Sequence, residues 1–161
     1  KTGKPSFLLS SDFNPDALDF MQKNLSRAYE AGRRFAERSG TDFNCRYVCL
    51  CQDAAELLRK AIEGEYSYVE YPGPDRVIMN LPHSAFQFLP AVFELLSSRH
   101  IKKATIHVYD IAPSEKLEEQ KTSIIRTAAE KGYDNVKIDS RRIRGYAPGV
   151  YNWCHDVVIV R

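Results

Sequence analysis

Apolar and polar positions change period repeatedly along this chain. Phe7-Leu8-Leu9-Ser10-Ser11 is a short apolar run of the kind that forms a buried strand. Asn14-Pro15-Asp16 then opens a helix. Asn14 suits the cap, Pro15 the first helical position, and Asp16 the positive end of the dipole. Leu18, Met21, Leu25 and Ala28 follow at three- and four-residue steps and mark a core stripe, and the pattern stops at Ser39-Gly40. Cys45 to Cys51 reads as a second strand. Asp53 caps a second helix through Ile62, with Leu57, Leu58 and Ala61 on its apolar side.

Glu63 to Pro74 is rich in Gly, Pro and Tyr and reads as a loop. Asp75-Arg76-Val77-Ile78-Met79 is a third strand, cut short by Asn80-Leu81-Pro82. Phe86, Leu89, Phe93 and Leu96 repeat at helical spacing between about Ser84 and Ser97. Ala104 to Tyr109 is a fourth strand. Ser114 is placed to cap a further helix, with Leu117, Ile124, Ile125 and Ala128 on its core face and Gly132 at its end. Val136 to Ile143 and Asn152 to Val160 are two more strands. Too little chain separates them for a helix, so they pair antiparallel.

The order β-α-β-α-β-α-β-α-β-β predicts an α/β fold with a doubly wound sheet closed by an antiparallel hairpin. In such sheets ligands bind beyond the carboxyl ends of the strands. Attention therefore falls on Asp12, Asp53, Asn80 and Asp110. A carboxylate at Asp12 can accept from a ribose diol, or cap a helix. Asp53 can accept from an adenine amino group, or cap its own helix. Asn80-Leu81-Pro82-His83 is the sharpest local signal: a carboxamide after a buried strand, stiffened by a proline, presents an acceptor to a ring or exocyclic N–H. The competing reading is an Asn-initiated turn.

With 161 residues, 43% hydrophobic and 27% charged, the chain supports one domain with a real core. No apolar run reaches the roughly 18 residues of a membrane helix, and Lys1-Thr2-Gly3-Lys4-Pro5 does not open a secretory signal. A net charge of +2 excludes a whole-molecule polyanion field, so a nucleic-acid surface must be a local patch. Residues 121–144 hold seven basic side chains against three acidic ones, ending in Arg141-Arg142-Ile143-Arg144 before Gly145-Tyr146-Ala147-Pro148. This is either a phosphate-contacting edge with Tyr146 or Tyr151 for base stacking, or a solvated edge strand. Lys23, Arg27, Arg33, Arg34 and Arg38 read as the solvated face of the first helix.

Cys45, Cys49, Cys51 and Cys154 lack the paired spacing of a metal site, so no metal is expected. They read as buried, reduced, small apolar residues of a reducing compartment. His107 reads as a satisfied core or rim histidine. His83 is a candidate for the site lining. Neither stands at a nucleophile spacing that supports a hydrolytic triad.

Asp75-Arg76-Val77-Ile78-Met79-Asn80-Leu81-Pro82, Ile106-His107-Val108-Tyr109 and Arg144-Gly145-Tyr146-Ala147-Pro148 closely resemble three successive blocks of the tRNA (guanine-N(1)-)-methyltransferase family, the Met-10-like group. Ser11-Asp12-Phe13-Asn14-Pro15 resembles that family's second-strand motif and Asp53-Ala54 its third. The resemblance implies a Rossmann-like class I domain that uses S-adenosylmethionine to methylate N1 of the guanosine 3′ of the anticodon in tRNA. By that resemblance Asp12, Asn14, Asp53, Ala54 and Asn80 face the donor. Asn80 holds the target guanine, and Leu81 and Pro82 shape the pocket between base and methyl group. His83, Arg144, Tyr146 and Pro148 belong to the substrate side.

The family's first strand, its glycine-rich turn, its general base and its RNA-binding domains would precede Lys1. The resemblance thus implies the C-terminal portion of a single catalytic domain, inactive alone, with the rest of the same protein and tRNA as partners and no membrane. It implies a cytoplasmic location, with mitochondrion and nucleus as alternatives. Two other functions stay open. One is the aminocarboxypropyl transferase of wybutosine synthesis, whose third-strand block usually lacks Asn-Leu-Pro. The other is a non-catalytic RNA-binding module of methyltransferase shape.

Overall fold

A computed structural model describes residues 7–66 and 73–161. The Lys1–Pro5 start and half of the Glu63–Pro74 loop, residues 67–72, lie outside the described residues. The chain divides into two compact units, Lys1–Leu57 and Leu58–Arg161.

The first unit contains strand β1 (Phe7–Asp12), helix α1 (Pro15–Ser39) and strand β2 (Arg46–Cys51), with β1 and β2 paired in parallel from Phe7↔Arg46 to Asp12↔Cys51. The sequence signals for α1 work as read. The Asn14 side chain accepts from the Asp16 amide, Pro15 fills the first turn, and Gly40 ends the helix at φ 62°. The core stripe departs from the sequence reading at one step. Leu18, Met21 and Leu25 are half-buried, but Ala28 is exposed, and the stripe continues through Tyr29, Gly32 and Ala36. Tyr29 wins because its ring packs against Phe43 and Tyr47, at centroid distances of 5.3 Å and 6.0 Å.

Helix α2 (Ala54–Glu63) follows β2 and straddles the boundary between the units. The second unit holds strand β3 (Arg76–Met79), helix α3 (Ala85–Ser98), strand β4 (Lys103–Pro113), helix α4 (Leu117–Ala129), strand β5 (Asn135–Ala147) and strand β6 (Val150–Val160). Its sheet runs β3-β4-β6-β5, with β3 and β4 parallel and the β4–β6 and β6–β5 pairs antiparallel. Among the described residues no ladder joins this sheet to the β1–β2 pair.

The core of the second unit lies on one face of the sheet. Ala104, Ile106, Val108 and Ala112 of β4 and Trp153, Val157 and Ile159 of β6 are buried. So are Leu89, Val92, Phe93 and Leu96 of α3 and Ile124 and Ala128 of α4. The alternate residues of β4 and β6 point to the opposite face. Pro90 sits inside α3 on an exposed position, and the burial around it carries the helix past the missing amide hydrogen bond.

Four expectations change. Strand β4 runs on to Pro113, so Asp110 lies within the strand and is nearly buried, its carboxylate accepting from Gln120 Nε2. Ser114 opens a short 3-10 turn (Ser114–Lys116) and makes no side-chain cap. Ile125 is exposed and leaves the core face to Ile124 and Ala128. The final hairpin is longer than its hydrophobic pattern, because β5 and β6 stay paired to Ala147↔Val150 around Pro148-Gly149.

Candidate functional site

At the carboxyl end of the β1–β2 pair, the Gln52 amide donates to the Asp12 carbonyl at 3.1 Å. That places Asp12 and Asp53 at the same edge of one parallel ladder. Each carboxylate spends one oxygen on its own backbone. Asp12 Oδ1 accepts from the Asn14 amide at 2.9 Å, and Asp53 Oδ1 from the Ala55 amide at 2.7 Å. Both readings of these residues therefore coexist: one oxygen closes the turn and the other stays available as an acceptor. Asn14 is different, because its side-chain oxygen is already committed to the Asp16 amide. Ala54 is the first residue of α2.

The Asn80-Leu81-Pro82-His83 segment leaves the end of β3 and is fixed through its own backbone. The Leu81 carbonyl accepts from the amides of Ser84 and Ala85 at 2.8 Å and 2.7 Å, starting α3. The Pro82 carbonyl accepts from the Ile111 amide at 3.0 Å, tying the segment to β4. Asn80 is exposed, and its carboxamide has no partner among the described residues. The strand is not the buried one its apolar run suggested: β3 is an edge strand of the described sheet, with Arg76 and Ile78 exposed and Met79 buried. It is the two backbone clamps that present a free amide, with Leu81 and Pro82 half-buried beside it.

His83 does not stand alone. Its ring meets that of Tyr146 edge to face, with centroids 6.0 Å apart and an interplanar angle of 72°. Tyr146 is 57% exposed and lies on the arm of the β5–β6 hairpin. The arm has register shifts between Arg142 and Arg144 and between Gly145 and Ala147. Arg144 and Pro148 are exposed on the same arm, and Gly149 makes its turn at φ 74°. Arg142 lies over the Tyr151 ring at 4.8 Å, so one arginine of the basic cluster is already engaged with an aromatic side chain.

A polar cluster that sequence reasoning missed lies on the other face of β4 and β6. His107 Nδ1 and Asp156 Oδ1 are 2.6 Å apart, and Arg141 Nε donates to Asp156 Oδ2 at 3.1 Å. Cys154 Sγ lies 3.3 Å from Asp156 Oδ1. Burial pushes the Asp156 carboxyl up, but hydrogen bonds from His107, Arg141 and Cys154 outweigh it and hold the group below its ordinary value. The period-two pattern of β6 puts Cys154 and Asp156 on one face, but only the β4–β6 register brings His107 to them. On the helix-packed face His155 is fully buried, its Nδ1 2.8 Å from the Ser140 hydroxyl, and burial pushes its imidazole down.

The cysteines are not uniformly buried, as their apolar reading required. Cys154 is buried, Cys45 and Cys49 are half-buried, and Cys51 is exposed at the end of β2. All four are free.

No family model matches the chain. It is 26% identical over 150 residues to a tRNA (guanine(37)-N(1))-methyltransferase of Entamoeba histolytica, covering 93% of this chain and 32% of that protein. It is 34% identical over 88 residues to a tRNA(Phe) (4-demethylwyosine(37)-C(7)) aminocarboxypropyltransferase of Methanocaldococcus jannaschii, covering 54% of this chain and 34% of that one. The chain thus spans about a third of the length of the curated relatives it matches. Among solved structures, M. jannaschii TYW2 in complex with AdoMet superposes with a TM-score of 0.63 at 21% identity, over 100% of this chain and 61% of that one. WT Trm5b from Pyrococcus abyssi gives 0.64 at 20% identity, over 99% and 46%. The architecture is the Rossmann-like one of these S-adenosylmethionine-dependent transferase structures, and the sequence likeness agrees with the resemblance read from Asn80-Leu81-Pro82 and its companion blocks: the chain is similar to a tRNA (guanine(37)-N(1))-methyltransferase and to a wybutosine-pathway aminocarboxypropyltransferase.

Proposed function

We propose that this chain is the C-terminal portion of a catalytic domain that methylates N1 of the guanosine 3′ of the anticodon in tRNA, with S-adenosylmethionine as donor. The observation that carries the reading is the exposed Asn80 amide at the end of β3, free to bond, in the clamped segment whose His83 meets Tyr146 of the hairpin arm. The residues fit the donor: the second oxygens of Asp12 and Asp53 are acceptors for ribose hydroxyls and an adenine amino group at one ladder edge. When bound, S-adenosylmethionine supplies the electrophilic methyl group.

Asn80 accepts from an N–H of the guanine and orients its edge, and Leu81 and Pro82 bound the base with apolar surface. Guanine N1 carries a proton near neutral pH, so a base must take it for N1 to act as nucleophile. Arg144 contacts backbone phosphate, and Tyr146 and His83 offer ring edges and faces to an unstacked nucleotide. Pro148 fixes the turn of the hairpin arm that carries Arg144 and Tyr146.

The test uses the intact protein with unmodified tRNA and S-adenosylmethionine, followed by mass analysis of the nucleosides. The expected product is N1-methylguanosine. Asn80→Ala is expected to lower the rate far more than it weakens donor binding; equal losses in both would overturn its proposed role.

A second reading is aminocarboxypropyl transfer, favoured by the 34% identity over 88 residues to the M. jannaschii enzyme. The Asn80-Leu81-Pro82 block argues for methyl transfer, and the larger mass added by the alternative reaction separates the two directly.

A further inference from the structure

We propose that His107, Cys154 and Asp156 form a binding site for one zinc-like divalent cation on the face of the second unit's sheet opposite its helix-packed core. Nothing in the function proposed above requires it.

The candidate ligand atoms are His107 Nδ1, Cys154 Sγ and Asp156 Oδ1, which all lie within 4.8 Å of one another. Nδ1 and Oδ1 are 2.6 Å apart, and Sγ and Oδ1 3.3 Å apart. Zinc bonds of about 2.0–2.3 Å in a tetrahedron place ligand atoms roughly 3.3–3.8 Å from each other. The sulfur–oxygen edge is nearly at that separation. The nitrogen–oxygen edge is short because the two atoms now share a proton, and an ion replacing that proton would open it by about 0.7 Å.

The framework is rigid. His107 and Asp156 are direct partners across the β4–β6 ladder, and Cys154 stands two residues before Asp156, on the same face. All three sit on interior strands of a four-stranded sheet, not on loops. The way in is open: the side chains of His107 and Asp156 are 21% and 26% exposed, while Cys154 forms the buried floor.

The donor set selects the metal. One imidazole, one thiolate and one carboxylate suit zinc, with a fourth position left for water. Magnesium and calcium take oxygen ligands, and this cluster supplies too few. Arg141 belongs to the outer layer. Its Nε donates to Asp156 Oδ2 at 3.1 Å, which turns Oδ1 inward, and its Nη2 lies 3.5 Å from Cys154 Sγ, a contact that binding would loosen.

The intact protein, freed of metal by chelation, would be titrated with cobalt(II) and then zinc(II). One cobalt per chain with a sulfur-to-cobalt charge-transfer band, displaced by zinc, is expected. Cys154→Ser should abolish the band, and Asp156→Asn and His107→Ala should each weaken binding at least tenfold. Arg141→Ala should keep one metal per chain. Circular dichroism of each metal-free variant checks that it folds. No band in the folded wild-type protein, a band that survives Cys154→Ser, or magnesium binding in preference to zinc would overturn the site and leave the cluster a plain His107–Asp156–Arg141 charge network.

Discussion

The ring edge of His83 against Tyr146 couples the residue that follows Asn80-Leu81-Pro82 to the arm of the β5–β6 hairpin, 63 positions away in sequence but 6.0 Å between ring centroids. On the proposed function this pair receives a nucleotide. Tyr146→Ala should raise the KM for tRNA several-fold and leave donor binding unchanged. His83→Ala should do less once Tyr146 is gone. A double-mutant cycle on the KM for tRNA is expected to give a coupling of about 0.5 kcal/mol, the low end for an aromatic pair because both rings are exposed. Strict additivity would show that the contact is not used.

Asp12 and Asn14 should separate stability from donor binding. The Asn14 side chain is spent on the Asp16 amide, so Asn14→Ala removes a helix cap and is expected to cost about 1 kcal/mol. Its donor affinity should change little. Asp12→Asn keeps an acceptor for the Asn14 amide but replaces the free carboxylate oxygen with a donor group. It should weaken donor binding at least tenfold with a small change in thermal midpoint. Calorimetry and a melting curve on each variant read both quantities, and a reversed pattern would assign the donor contact to Asn14 instead.

Gly132 adopts φ 81°, and a Cβ there would lie 2.8 Å from the Arg161 guanidinium, which extends over the Tyr133 ring at 5.5 Å. The side chain of Arg161 can move, but the backbone strain stays. Gly132→Ala is expected to destabilise by about 1–2 kcal/mol in a chemical denaturation series.

Trp153 Nε1 donates to the Ala112 carbonyl at 3.0 Å in a buried position. Trp153→Phe keeps most of the apolar contact and removes that side-chain hydrogen bond, at an expected cost of about 1 kcal/mol. Denaturant midpoints at unchanged slope would report it.

Element order was legible because each element carried its own punctuation. Asn14-Pro15 and Gly40 bounded α1, and the structure ends the helix at Ser39. Where boundaries moved, long-range pairing decided. Strand β4 continues past Tyr109 because Asp110 to Pro113 find partners Trp153 to Val150 on β6, and no local pattern announces that. Ser114 was overruled because the chain first turns through a 3-10 segment before α4. Asp12, Asp53 and Asn80 were identifiable as strand-end polar groups. The His83–Tyr146 contact and the cluster around Asp156 were not, because each joins residues far apart in sequence: a turn after β3 with the hairpin arm in the first, and paired strands β4 and β6 in the second.

The hairpin arm fixes its chemistry by count more than by identity. Two register shifts within Arg142–Ala147 set which way Arg144 and Tyr146 project, and Pro148-Gly149 leaves no slack at the tip. Removing or adding a single residue there would swap the faces of the arm and turn Tyr146 away from His83, a change larger than most substitutions could cause.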